Sequence, residues 1–265
     1  MNSKFLQIMN VIAVIAAIVF NALVNIIPVN NITTGAVSDA FPNLFTPPGY
    51  VFAIWAVIYT LAIIFMVYQV RSNQRAESYL GQIGILYLVG SIINIVWLVV
   101  FHFSYGNEVL FPITTLLILG FLVTLLLIYT RLGIGLSEVS VGQKLGVHLH
   151  ISVYLGWISL ASIANIASMI NVIVPGIALE TQVLWTTLIL IVALVLTMLM
   201  LFLRRDFAYG LVVIWASVGI ATKQAVHPLI YFTALGTAII VLAVILLLPF
   251  LKGKKNPIDF YLHRE

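Results

Sequence analysis

The sequence predicts an all-α, polytopic integral membrane protein, a bundle of eight transmembrane helices with both termini on the cytoplasmic side. Three observations predict it. Hydrophobic residues make up 63% of the 265-residue chain and charged residues 8%, against about 25% charged in a soluble domain. The apolar residues gather into runs close to the ~20 that cross a bilayer as a helix. The basic residues also sort by side: of the twelve Lys and Arg, all but Lys223 fall at ends that alternate counting places on one face. The positive-inside rule makes that face cytoplasmic.

The first span, 5–27, follows Lys4, and its apolar core is longer than the roughly 7–15 residues of a signal-peptide core. The second, 50–70, follows Pro47, Pro48 and Gly49. Proline pre-sets φ and needs no N–H in a first helical turn, so helix initiation explains the pair, with a stiff lid over the bundle as the alternative. Spans 83–103 and 110–130 flank a short turn. The fifth, 146–170, follows the basic segment RLGIGLSEVSVGQKLG, which has room for a surface turn of helix. The weak break NVIVPGIALETQ separates these five helices, within 1–170, from three more within 183–251: 183–203, the short 207–222, and 229–251. Residues 252–265 form a basic cytoplasmic tail. The long connection 28–49 has no Lys or Arg and lies on the outer face.

Much chemistry is excluded. With no cysteine, disulfides, thiolate metal sites and cysteine nucleophiles are absent. All eight acidic residues lie in loops, helix ends or tails, which argues against ion-coupled pumping, an intramembrane aspartyl protease or a voltage sensor. No phosphate-binding loop, HExxH motif or acid–base pair for catalysis occurs. His148 and His150, two apart on a helix, point to different faces and read as an inner-interface helix end, while His102 reads as interfacial. Leu127-Ile-Tyr129-Thr-Arg131 matches a weak sterol-type pattern, which a Tyr and Arg at a membrane interface explain equally well.

Three aromatic stripes stand out instead. Phe52, Trp55 and Tyr59 share a face of the second span, Gly90, Asn94, Trp97 and Phe101 one of the third, and Tyr154, Trp157, Ala161 and Asn165 one of the fifth. Trp157 lies ~16 Å into its span, too deep for the interfacial belt. A buried indole N–H seeks an acceptor, which Asn94 or Asn165 could supply. Periodicity alone leaves two explanations open, helix packing and a ligand cavity. The pairs Ser152/Gly156 and Ala164/Ser168 predict close helix contact on another face of the fifth span. Trp185 reads as belt and Trp215 as packing.

The stretch TPPGYVFAIWAVIY, Asn94-Ile-Val-Trp97 with Phe101, and Tyr154-Leu-Gly-Trp157 with Asn165 resemble the motifs of the TspO/MBR family, the tryptophan-rich sensory proteins related to the mitochondrial translocator protein. The resemblance covers roughly 1–170, the family's five-helix bundle; the last three helices make this an extended form. Val153 stands where the family has proline, and no Lys or Arg follows the fifth span as in its sterol pattern. The resemblance implies a cavity among helices 1–5 for a tetrapyrrole such as a porphyrin or haem, no cofactor being required. It also implies a role as sensor, regulator or carrier. The implied ligand-binding residues are Pro47, Pro48, Phe52, Trp55, Tyr59, Asn94, Trp97, Phe101, Tyr154, Trp157 and Asn165. Facilitated transport of a small apolar molecule and breakdown of a bound porphyrin are the alternatives. The partners expected are a porphyrin-like or sterol-like small molecule, membrane lipid and a second copy of the chain, with no nucleic acid, in a bacterial cytoplasmic membrane.

Overall fold

A computed structural model of the chain describes residues 2–27 and 29–251, so the basic tail lies outside the described residues. These residues are helical, with no strand among them. Eight long helices, α1 (Ser3–Ile26), α2 (Ile54–Gln69), α3 (Leu86–Ser104), α4 (Phe111–Arg131), α5 (Leu149–Ile173), α6 (Leu179–Arg204), α7 (Phe207–Lys223) and α8 (Pro228–Leu251), follow the apolar runs. Seven of these segments are long and apolar enough to cross a membrane, and the protein is an integral, multi-pass helix bundle. At 17 residues, α7 is only ~25 Å long, short of the ~30 Å hydrocarbon core. It is packed among α5, α6 and α8.

Helices α1 to α5 form a closed ring in which α1 meets α2 and α3, α4 bridges α3 and α5, and α5 returns to α2. Helix α7 packs on the outer side of α5, α8 backs α7, and α6 lies against α8. Gly156 makes the α5–α7 approach possible, since a Cβ there would sit 3.2 Å from Val212 Cβ and 3.5 Å from Tyr209 Cα. This is the close contact predicted by Ser152 and Gly156.

Several local expectations are corrected. The third span does not begin at 83. Gly84 takes φ +55° and ends a separate short helix, Tyr79–Ile83, so α3 starts at Leu86. The second span opens with a 3-10 turn, Gly49–Ala53, before α2. The basic segment before α5 holds a short helix, Val141–Gln143, and a π-helical turn, Lys144–His148, whose Lys144, Val147 and His148 are buried rather than on the surface. Asp206 lies between helices as expected, yet it is fully buried. It caps α7 by accepting from Tyr209 N at 3.0 Å and accepts from the Tyr129 hydroxyl at 2.9 Å.

The connection, described from Val29 to Gly49, is folded and fastened. Thr33 caps a short helix, Thr34–Ala40. Asn43 accepts from the N–H groups of Phe45 and Thr46, both at 2.8 Å, and donates to Ser168 Oγ at 2.7 Å. The Ser168 hydroxyl donates to Phe41 O, Asn171 to Pro42 O and Gln224 to Leu44 O. The same hydrogen bonds that satisfy the segment's backbone thereby tie it to the ends of α5 and α7. At the opposite end of the bundle Gln69 donates to Gln7 O at 2.9 Å and Asn10 donates to Gln69 Oε1 at 3.3 Å, joining α2 to α1.

Candidate functional site: an aromatic cavity under the 28–49 segment

Beneath the folded connection lies an apolar cavity of about 60 Å³. The segment supplies Thr34, Ser38, Phe41, Phe45, Thr46 and Pro47 as its roof, and α2, α3, α4, α5 and α7 supply the walls. The aromatic side chains meet at ordered angles. Trp97 and Phe101 stack at 4.9 Å and 15°, Phe52 meets Trp157 edge-on at 5.6 Å and 84°, and Trp55 meets Trp157 edge-on at 6.2 Å and 82°. Offset and edge-to-face contacts of this kind are the favoured arrangements of aromatic rings.

Of the residues singled out in the sequence, Pro47, Phe52, Trp55, Trp97, Phe101, Trp157 and Asn165 line this cavity. Pro48, Tyr59, Asn94 and Tyr154 do not. Asn94 and Tyr154 lie deeper and are bonded to each other, the amide donating to the Tyr154 hydroxyl at 3.2 Å. Tyr59 stacks under Trp55 at 5.6 Å and lines a lateral cleft instead. That cleft, about 460 Å³, opens between α1 and α2, and Thr34, Phe52, Trp55 and Trp97 separate it from the apolar cavity.

The expected pairing of indole with amide is not made. Asn165 Oδ1 accepts instead from the hydroxyls of Thr114 and Thr115 on α4, while the indole N–H groups of Trp97 and Trp157 have no partner among the described residues. Both side chains are nearly enclosed, 9% and 3% exposed respectively. A buried donor without an acceptor costs about 1–3 kcal/mol, so these two atoms mark where the packed interior is unfinished.

Sequence reasoning missed Phe41, Phe45, Phe111, Ile118, Leu160, Ala216 and Ile220. The Phe and Leu positions carry no polar or tryptophan signal in a chain this apolar. Ala216 and Ile220 belong to α7, outside the five-helix ring, and the cavity is therefore not confined to helices 1–5. Helix α7 is seated against the 3-10 turn Gly49–Ala53 that follows the segment. Trp215 donates to Val51 O at 2.9 Å, the Tyr50 hydroxyl and Thr222 Oγ1 are hydrogen-bonded at 3.1 Å, and any Cβ on Gly219 would collide with the Val51 side chain.

His102, His148 and His150 are buried within the protein and hydrogen-bonded there. His102 is buried, its Nδ1 bonded to Leu98 O at 2.8 Å and its Nε2 3.3 Å from Thr34 Oγ1. His150 is buried and shares a 2.8 Å hydrogen bond with the Tyr87 hydroxyl. His148 is buried beside Gln143 at 3.4 Å. No group of three metal-ligating side chains occurs among the described residues. Trp185, 61% exposed, stands on the surface as a belt residue does.

No curated protein and no solved structure matches the chain. A family model does, and it runs through the three C-terminal helices as well as the five-helix ring. Over residues 7–247 the chain matches the family of TSPO-like proteins, and with its multi-pass helical bundle it belongs to that family.

Proposed function

We propose that the chain binds a flat, largely apolar ligand of the porphyrin kind in the aromatic cavity and acts as its membrane sensor, regulator or carrier. The observation that carries this reading is the pair of enclosed, unpartnered indole N–H groups of Trp97 and Trp157 on one apolar cavity. Ligand sites combine apolar and aromatic walls with a few polar groups that fix orientation. Here two donors stand ready for acceptors that a ligand would bring. At about 60 Å³ the cavity is below the roughly 300 Å³ of common ligand sites. A macrocycle therefore enters by displacing a partition, either Phe41 and Thr46 on the roof side or Phe52 and Trp55 on the lateral side.

Quenching of tryptophan fluorescence by protoporphyrin IX in the purified full chain tests the reading, alongside Trp55→Phe and Trp157→Phe. Saturable quenching that weakens in these variants supports it. Linear quenching, equal in all three proteins, returns the aromatic stripes to helix packing.

A further inference from the structure

Above the apolar cavity, on the same end of the bundle, lies a larger and more polar one of about 620 Å³. The two share Ser38, Phe41, Thr46 and Ser168 in their linings, so one layer of side chains separates them. Its walls come from the 28–49 segment, the loop after α5 and the end of α7.

The amide groups around this vestibule are each tied to the backbone. Asn43, Asn171, Gln182 and Gln224 each donate to a backbone carbonyl oxygen. The charged donor is the ammonium of Lys223, the one Lys or Arg at this end of the bundle among the described residues. Its nearest carboxylate is that of Asp39, at 3.9 Å, with the Asp39 side chain 68% exposed. A direct charge-assisted bond is about 2.7–2.9 Å long. The ammonium, with three donors, keeps capacity for a second anion. Asp39 and Glu108 also border the vestibule, and they are the groups a cationic ligand would meet instead.

Helix α7 joins the two cavities along one face. Ala216 and Ile220 line the apolar cavity and Lys223 lines the vestibule. These positions are i, i+4 and i+7, a single stripe. Lys223 lies ~4.5 Å along the helix from Ile220 and ~10 Å from Ala216.

We propose that the vestibule is a second subsite, in which Lys223 takes the carboxylate of an amphipathic ligand whose ring system occupies the aromatic cavity below. The ligand class is an apolar ring bearing an acid at one edge, and the carboxylate replaces Asp39 as the partner of the ammonium. This inference rests on the proposed function, and it assigns to the three C-terminal helices a part in choosing the ligand.

The test compares protoporphyrin IX with its dimethyl ester, by tryptophan-fluorescence titration of the full chain in nanodiscs. Lys223→Gln is expected to weaken the diacid about three- to tenfold and leave the ester unchanged, while Lys223→Arg retains most of the diacid affinity. Asp39→Asn, which removes the competing carboxylate, is expected to tighten the diacid. Equal effects of Lys223→Gln on diacid and ester overturn the subsite while the cavity reading stands. Weaker diacid binding in Asp39→Asn also overturns it, because Asp39 then supports the ligand and does not compete with its carboxylate for Lys223. If neither compound saturates the unaltered chain, the cavity reading falls and the subsite falls with it.

Discussion

The indole of Trp215 on α7 donates its N–H to the carbonyl oxygen of Val51 over 2.9 Å, across the boundary between the three C-terminal helices and the five-helix ring. Val51 lies in the 3-10 turn that follows Pro47 and Pro48. The bond therefore holds the entry to α2 against α7, next to the cavity walls Phe52 and Trp55.

Trp215→Phe removes that bond while keeping most of the ring. The expected cost is about 1 kcal/mol, seen as a lower thermal midpoint and as faster hydrogen exchange of the amides in 49–53. Gly219→Val, which drives a side chain into Val51, is expected to cost more and to accelerate exchange further. Unchanged exchange in both variants shows that α7 does not hold this turn.

Trp97→Phe and Trp157→Phe separate a ligand wall from a packing residue. Each removes an unpartnered N–H, so the ligand-free protein is expected to keep its stability within about 1 kcal/mol. Porphyrin affinity is expected to fall about fivefold or more. Loss of several kcal/mol of stability with affinity intact marks the rings as structural.

Asn165→Ala takes the acceptor from two α4 hydroxyls, Thr114 and Thr115. Thr114 keeps its bond to Phe111 O at 2.7 Å, so the greater loss falls at Thr115. A destabilisation of about 1–3 kcal/mol, read by denaturant titration of the α4–α5 pair, is expected. Asn165→Gln fails to restore it if the short amide reach is what matters.

Asp206 makes stability depend on pH. Burial raises its pKa above 3.8, opposed by the hydrogen bonds it accepts from the Tyr209 N–H and the Tyr129 hydroxyl. Arg204 and Arg205 precede Asp206 in the chain, and the Arg204 guanidinium lies 5.7 Å from the Tyr129 ring. Because the folded pKa lies above the unfolded one, the group's contribution is full below the unfolded pKa near 3.8 and is lost as pH rises through the folded value. Thermal midpoints measured upward from pH 4 are expected to fall by less in Asp206→Asn than in the unaltered chain. Equal slopes in the two proteins place the dependence elsewhere.

The apolar runs made the helices legible, and the stripe of Trp55, Trp97, Trp157 and Asn165 made part of the cavity legible. Trp and Asn are costly in hydrocarbon unless they face protein, so their spacing marks an inner face. The same stripes held Asn94, Tyr154 and Tyr59, which face inward yet lie below or beside the cavity. Period fixes a face, whereas depth along it depends on where the roof closes. Phe41, Phe111, Ala216 and Ile220 gave no such mark. In lipid an apolar side chain is equally at home outward or inward, and nothing local says which helix will cover it.

The sequence by itself determined a multi-pass helical membrane protein and the inner faces of α2, α3 and α5, because burial of apolar surface in hydrocarbon and the cost of unpaired polar groups act residue by residue. Only the tertiary structure decided that α7 closes the cavity wall, that the 28–49 segment folds into its roof, and that Asn165 bonds to α4 and leaves the two indoles free. These outcomes depend on contacts between residues far apart in the chain. Small features such as Gly219 and Gly156 set them by permitting close approach, and hydrogen-bond competition among several near-equal acceptors is settled by geometry alone.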